Sequence, residues 1–267
     1  MPSKKEVMNM IDVIIPTRNA PEVLALTLAH YWANAHDEEL VASVTVLDNC
    51  SSAPGMDRIF GDVIRRGGRV IRHEQNIGVW ASVNRGLALA QSEQVLILTS
   101  DVLLAPGAVA TLAQIQKESG IPYLGPRVVS DQIVHLAQLY SPRPFVWTVD
   151  ASHYNGACWM MERSLLNTVG WFDPQFYVCF GDTDYSQRLL DAGILYGVTD
   201  SVRCLHLDKQ SRRHDFTEGQ DTEVEMTDAS RFHKKWRDRP DILAKHPQLS
   251  SVQYAMAKVG WKEAIPA

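Results

Sequence analysis

Asn76-Ile77-Gly78-Val79-Trp80-Ala81-Ser82-Val83-Asn84-Arg85-Gly86, followed by Val95-Leu96-Ile97-Leu98-Thr99-Ser100-Asp101-Val102 and then Pro106-Gly107, is the stretch that decides how this chain folds. It reads as a polar loop, a helix, a buried strand and a carboxylate left at the strand's carboxyl end. In an open α/β sheet, ligands sit at the carboxyl ends of strands, which aims Asp101 at whatever the protein binds. A second acid closes an earlier strand, Val44-Thr45-Val46-Leu47-Asp48-Asn49. Two acids delivered in this way point to a phosphorylated ligand with a divalent cation between them and it. The competing reading of each is that Asp favours the turn after a strand.

Working outward, residues 11–15 form an apolar run broken by Asp12 and stopped by Pro16, as expected of a strand buried on both faces. A helix is expected from Pro21 and a strand over 42–47. A weaker helix reaching Arg66 precedes a short strand over 69–72. Residues 79–90 read as a helix and 94–99 as a strand. Pro106 and Gly107 open a helix ending near Gly120, and 122–125 returns to the sheet. This alternation predicts an α/β fold with a mostly parallel, right-handed crossover sheet. The second half changes character. Strands at 133–139 and 145–149 have no helix between them, which predicts an antiparallel addition. A strand over 155–161 and a short helix over 163–169 come next. A helix over 184–192 is closed by Gly193, and a strand over 198–205 ends on His206. The polar remainder offers helices around 226–236 and 251–259, so 1–210 is expected to be the main domain and 211–267 a helical extension.

Composition bounds the partners. The chain has 267 residues, is 45% hydrophobic and carries a net charge of −5, which gives no global attraction to nucleic acid or anionic membrane. No apolar run approaches the ~20 residues of a membrane helix. The start lacks a signal-peptide core, and Cys50, Cys158, Cys179 and Cys204 form no CxxC pair. A soluble cytoplasmic protein is the expectation.

The ordered set of motifs resembles a known family. It comprises Pro16-Thr17-Arg18-Asn19, Leu47-Asp48-Asn49-Cys50-Ser51, Asn76-x-Gly78 with Asn84-x-Gly86, and Thr99-Ser100-Asp101 with Pro106. Gly170-Trp171-Phe172-Asp173 and Gly181-Asp182-Thr183-Asp184-Tyr185 with Arg188 complete it. Together these are similar to the family 2 inverting glycosyltransferases, especially the bacterial and phage branch of rhamnosyltransferase-like proteins. The resemblance implies the GT-A fold, a nucleotide-binding α/β half fused to an acceptor-facing half with antiparallel strands, and makes 1–210 the catalytic domain. It also implies a nucleoside diphosphate sugar donor and an Mn²⁺ or Mg²⁺ cofactor.

The resemblance assigns Asp48 to the nucleotide, with Thr17, Arg18 and Asn19 lining the same cleft; Arg18 is suited to pairing with phosphate. Asp101 matches the last acid of the family's metal motif, with Ser100 beside it, but Thr99 stands where an Asp or Asn is frequent. His206 matches a histidine that completes the coordination in many relatives. A hard cation there acts as a Lewis acid on the departing diphosphate. Asn76, Gly78 and Asn84 are donor-cleft candidates, with a helix N-terminus offering N–H groups to phosphate. Relatives carry Glu-Asp where this chain has Gly181-Asp182, which makes Asp182 the expected general base. Asp184, followed by Gln187, reads as a helix cap. Among the aromatic residues of the acceptor half, Trp147, Trp159 and Tyr177 have faces that suit a sugar ring, whereas Trp171 is expected in the core.

The acceptor is expected to be the hydroxyl of a glycan or lipid-linked saccharide. The alternative is hydroxymethylated bases of DNA, suggested by basic segments with interleaved aromatics at 211–214 and 231–237, against which interspersed acids argue for an ordinary solvated helix. Two other classes stay open: a sugar-phosphate nucleotidyltransferase, whose glycine-rich loop is missing after strand one, and an inactive nucleotide-sugar-binding module.

Overall fold

The first strand, β1 (Ile11–Thr17), is buried at all seven positions, as an apolar run between two helical layers must be. Its one charged side chain, Asp12, is buried too. The carboxylate accepts the backbone N–H groups of Gln91 (2.7 Å) and Ser92 (2.8 Å) and the hydroxyl of Ser43. Pro16 does not stop this strand, contrary to expectation. Pairing with β2 runs on through Pro16↔Leu47 and Thr17↔Asp48. Pairing with β4 has by then ended at Ile14↔Ile97, so only one neighbour is still paired where the N–H is missing.

The computed structural model describes residues 10–130, 147–148, 156–207 and 218–245. After β1 come α1 (Pro21–His30), continued by a π-helical turn (Tyr31–Ala35), β2 (Val41–Asp48), α2 (Met56–Arg65), β3 (Arg69–Arg72), α3 (Val79–Leu89) and β4 (Gln94–Leu98). Then come β5 (Val102–Leu104), α4 (Ala108–Ser119), β6 (Tyr123–Ser130), β7 (Trp147–Thr148), β8 (Cys158–Glu162) and α5 (Leu165–Thr168). The remaining elements are α6 (Gly181–Asp191), β9 (Gly197–His206), α7 (Glu218–Lys235) and α8 (Pro240–Leu243). The expected strand at 133–139 and helix at 251–259 lie outside the described residues.

One sheet runs in the order β3-β2-β1-β4-β8-β6-β9-β5, with β7 paired to β9. Strands β1 to β4 pair in parallel, as the alternation predicts. Beyond β4 the direction reverses: β8 is antiparallel to both β4 and β6, and β5 and β7 are antiparallel to β9. The three-residue strand β5 escapes the sequence reading because it is too short for periodicity to show.

Helices cover both faces of the sheet. Leu24 and Leu28 of α1, Met56 to Val63 of α2 and Val109 to Ile115 of α4 supply one core. Buried side chains of α1 fall at Leu24, Thr27 and Leu28, followed by Tyr31, a single helical stripe that leaves Leu26 exposed. On the other face Trp80, Val83 and Leu87 of α3 pack with Tyr185 and Leu189 of α6 and with Ala229 and Phe232 of α7. Here Phe172 stacks on Tyr185 at 4.2 Å, and Trp80 stacks on Phe172 at 5.1 Å. Trp171 is 46% exposed, so the expectation of a core role fails; its neighbour Phe172 turns inward instead. Among the described residues, no helix is long and apolar enough to cross a membrane.

Replacing Asp12 with Ala leaves two backbone N–H groups without their acceptor at the edge of the core. We expect a loss of roughly 2–4 kcal/mol, and a smaller one for Asp12→Asn, which keeps an acceptor oxygen. Urea unfolding of the two variants tests this; equal losses would show that the charge, and not the acceptor, matters.

Candidate active site

The strand ends open onto a cleft of about 340 Å³. Thr17, Arg18, Asn49, Asn76 and Gly78 line one part, and Thr99, Ser100, Asp101 and His206 a second. Gly156, Ala157, Trp159, the segment from Tyr177 to Phe180, Asp182 and Thr183 complete it. The cleft therefore gathers eight of the expected residues: Thr17, Arg18, Asn76, Gly78, Ser100, Asp101, Asp182 and His206.

Asp101 is fixed by the strand that begins at the next residue. Strand β5 pairs antiparallel with β9 through Val102↔His206, and the Leu207 N–H donates to the Asp101 carbonyl at 2.9 Å. That register brings His206 Nε2 to 3.4 Å from Asp101 Oδ1 across about a hundred residues of sequence. Thr27 Oγ1 donates to the Ser100 carbonyl (2.9 Å), fixing the same turn from α1. A buried carboxylate beside a partly buried imidazole is a donor set that suits a divalent cation. Among the described residues, no cluster of three or more His, Cys, Asp or Glu side chains is placed to hold one. Thr99 has another employment: its N–H and Oγ1 both donate to the Ala157 carbonyl, at 2.9 and 3.0 Å.

Asp182 lines the same cleft from the first turn of α6. Its Oδ1 accepts the Thr183 N–H at 2.8 Å, and the Gly156 N–H also bonds to the carboxylate. A side chain on residue 156 would strike that carboxylate. Dense surroundings raise the Asp182 pKa above the ordinary carboxylate value, against these hydrogen bonds, which lower it. Gly181, in place of the family's acid, has a steric cause: a Cβ there would lie 2.5 Å from the indole of Trp80. The ring fills the space that a side chain at 181 would need, and its Nε1 is engaged with the Val178 carbonyl at 3.0 Å.

Several expectations need correction. Asp48 is fully buried beneath the cleft, its carboxylate taken by Arg72 Nε (2.8 Å) and the Ser51 N–H (3.0 Å). Asn49 lines the cleft in its stead. Asn19 accepts the N–H groups of Ser52 (2.9 Å) and Ala53 (3.0 Å), splicing the loops after β1 and β2. Asn84 exchanges both amide bonds with the backbone of Phe172, at 2.8 and 3.0 Å. All three are buried or partly buried amides or acids engaged with backbone groups, and none lines the cleft. Asp184 is no cap either, because α6 begins at Gly181 behind a left-handed Phe180. Asp184 instead lies buried against Arg188 (2.9 Å), Lys235 (2.8 Å) and the Trp236 indole N–H (3.1 Å). The N-terminus of α3 is only partly open to an anion, since the Val79 N–H donates to the Tyr177 carbonyl at 2.7 Å. Gly78 permits that contact: its φ is +83°, and a Cβ would lie 2.8 Å from the same carbonyl oxygen.

The basic segment at 231–237 is likewise reassigned. Phe232 and Trp236 are buried, Arg231 pairs with Asp228 (2.9 Å), and Lys235 pairs with Asp173 (2.7 Å) and Asp184. The aromatics are core, and these two cations are exposed residues whose charged ends pair with buried or partly buried carboxylates. The 211–214 segment lies outside the described residues. Sequence reading also missed the contribution of Gly156 and Ala157, which carry no local signal and arrive through pairing of β8 with β4.

Comparison with known proteins places this geometry. The chain matches a family model described as "Glycosyl transferase family 2" over residues 12–170. It is 32% identical over 69 residues to the O-antigen biosynthesis protein RfbC of Myxococcus xanthus, covering 26% of this chain and 5% of that protein. Its fold is similar to that of GalNAc-T7 solved with UDP, GalNAc and Mn²⁺, with a TM-score of 0.61 at 14% identity over 74% of this chain and 43% of the other. It is also similar to S. aureus TarS, with a TM-score of 0.59 at 15% identity over 84% of this chain and 43% of the other. The chain thus spans less than half the length of these relatives. The structural likenesses support the GT-A architecture expected from the motifs.

Two outcomes test the site. In Gly181→Ala the indole of Trp80 must move, for an expected loss of about 1–3 kcal/mol from overpacking, read by denaturant unfolding. Asp182 has a linkage signature. The folded state binds its proton more tightly than the unfolded chain, so its contribution is full below the unfolded pKa and is withdrawn as pH rises through the elevated one. Asp182→Asn is therefore expected to melt above the parent at neutral pH, with the gap closing toward pH of about 4. An equal or lower Tm at neutral pH would contradict this.

Proposed function

The chain belongs to glycosyl transferase family 2, and on that premise we propose that it moves a sugar from a nucleoside diphosphate donor to an acceptor hydroxyl, with inversion at the anomeric carbon. The observation that carries this reading is that Asp101, its neighbour His206 and Asp182 line one cleft. Thr17 lines that cleft, and its buried hydroxyl has no hydrogen-bond partner among the described residues, as expected of a group kept for a ligand. Asp101 and His206 would hold a divalent cation, Mn²⁺ or Mg²⁺, together with diphosphate oxygens. When bound, such an ion neutralises the charge that builds on the departing diphosphate.

The remaining work falls to this chain's own groups. Thr17, Arg18, Asn49, Asn76 and Ser100 surround the nucleotide-facing part of the cleft. Asp182, held by the Gly156 and Thr183 N–H groups, accepts the proton of the incoming hydroxyl. Its pKa, raised by burial, makes it a stronger base than an exposed carboxylate. The O-antigen relative favours a saccharide acceptor, glycan or lipid-linked. Pairing of Arg231 with Asp228 and of Lys235 with Asp173 gives two of the basic residues behind the DNA alternative a partner within the chain.

A thermal-shift panel of nucleoside diphosphates and their sugars, with and without Mn²⁺, identifies the donor. A ligand at a hundred times its dissociation constant stabilises by about 2.7 kcal/mol, so the right nucleotide stands out, and Asp101→Ala is expected to erase the Mn²⁺-dependent part. With that donor, Asp182→Asn is expected to bind normally and turn over at least ~100-fold more slowly. Unchanged turnover removes Asp182 from the mechanism. Nucleotide binding without turnover on any acceptor supports the inactive binding module instead.

A further inference from the structure

The wall of the cleft between Tyr177 and Phe180 carries no regular secondary structure, yet its backbone is held from both sides. Toward the donor half, the Tyr177 carbonyl accepts the Val79 N–H (2.7 Å) and the Val178 carbonyl accepts Trp80 Nε1 (3.0 Å). From behind, one carboxylate takes three successive N–H groups. Asp228 of α7 accepts from Tyr177 (2.9 Å to Oδ1), Val178 (2.8 Å to Oδ2) and Cys179 (2.9 Å to Oδ2). Arg231 Nη1 lies 2.9 Å from Oδ1. Asp228 is fully buried, and three consecutive N–H groups converging on an anion form a nest. Phe180 then turns in a left-handed conformation (φ 61°), and Asp182 comes two residues later.

We propose that Asp228 is a positioning residue for the transfer reaction: its carboxylate clamps the cleft wall and so sets the placement of Asp182 in the cleft that Asp101 also lines. The inference rests on the reading of Asp182 as the base, and it locates part of the catalytic apparatus on a helix beyond the family-matched residues 12–170. Asp228 touches no reacting group; it acts through the three N–H groups it gathers. Docking of α7 does not depend on it. Trp236 Nε1 and Lys235 bind Asp184, Lys235 binds Asp173, and Phe232 packs against Phe176 and Phe180. Loss of the carboxylate therefore frees the wall while the helix stays in place, and a small displacement of a base is enough to slow proton transfer.

The test joins hydrogen exchange to kinetics on the full chain. In Asp228→Ala, amides 177–180 are expected to exchange at least ~10-fold faster while amides 229–236 keep parental protection. With the donor chosen by the thermal-shift panel, kcat is expected to fall ~10–100-fold with the donor KM within ~3-fold. Asp228→Asn, which keeps one acceptor oxygen, should recover part of both effects. Faster exchange throughout α7 would overturn the proposal in favour of a plain folding role, and so would an unchanged kcat with a loosened wall. If Asp182→Asn retains full turnover, the base assignment falls and takes the proposal with it. A slow Asp182→Asn beside a fully active Asp228→Ala sinks the clamp alone.

Discussion

Strand β4 is hydrogen-bonded in parallel to β1 along one edge and antiparallel to β8 along the other, and the cleft depends on that reversal. The parallel edge delivers Thr17 and Asp101 to the same end of the sheet, as right-handed crossovers require. Because β8 runs the opposite way, its entry segment, Gly156 and Ala157, lies at that same end. Thr99 is bonded there to Ala157 through both its N–H and its hydroxyl. Gly156 in turn donates to Asp182. Asp101 and Asp182, from separate parts of the chain, thus line one cleft at this end of the sheet.

Six of the aspartates fall into two kinds. Asp12, Asp48 and Asp228 are buried and accept backbone N–H groups of other segments or loops, while Asp184 collects Arg188, Lys235 and Trp236. These acids substitute for secondary structure, tying irregular segments that the sheet ladders do not reach. Asp101 and Asp182 face the cleft instead. A buried ionised carboxylate is tolerable only where donors converge on it, and consecutive backbone N–H groups provide that without a second charge.

The two departures from the family pattern have local explanations. At Gly181 the space beyond the backbone belongs to Trp80, whose ring joins the stack with Phe172 and Trp159 and whose indole N–H holds the cleft wall. At Thr99 the hydroxyl is engaged in joining the end of β4 to Ala157, beside the Gly156 that lies against Asp182. Both positions are tied into the scaffold around Asp182, one through the Trp80 ring and one through the Ala157 carbonyl.

Local pattern was enough for the alternation along β1 to β4, for the helices at 21–30, 56–65 and 79–89, and for Asp101 at a strand end, because periodicity and turn residues act over a few neighbours. The motifs sufficed for the family, since their order and spacing survive in the linear chain. Local pattern did not distinguish Asp48 and Asn19, which support the cleft from beneath, from Thr17 and Asp101, which line it. Nor did it mark Asp228, one acid among several on a polar helix. Those roles depend on which backbone N–H groups converge on a side chain, and His206 meets Asp101 only through the β5–β9 register. Pairings of that kind join residues about fifty to a hundred positions apart, and only the folded sheet and its packed helices decide them.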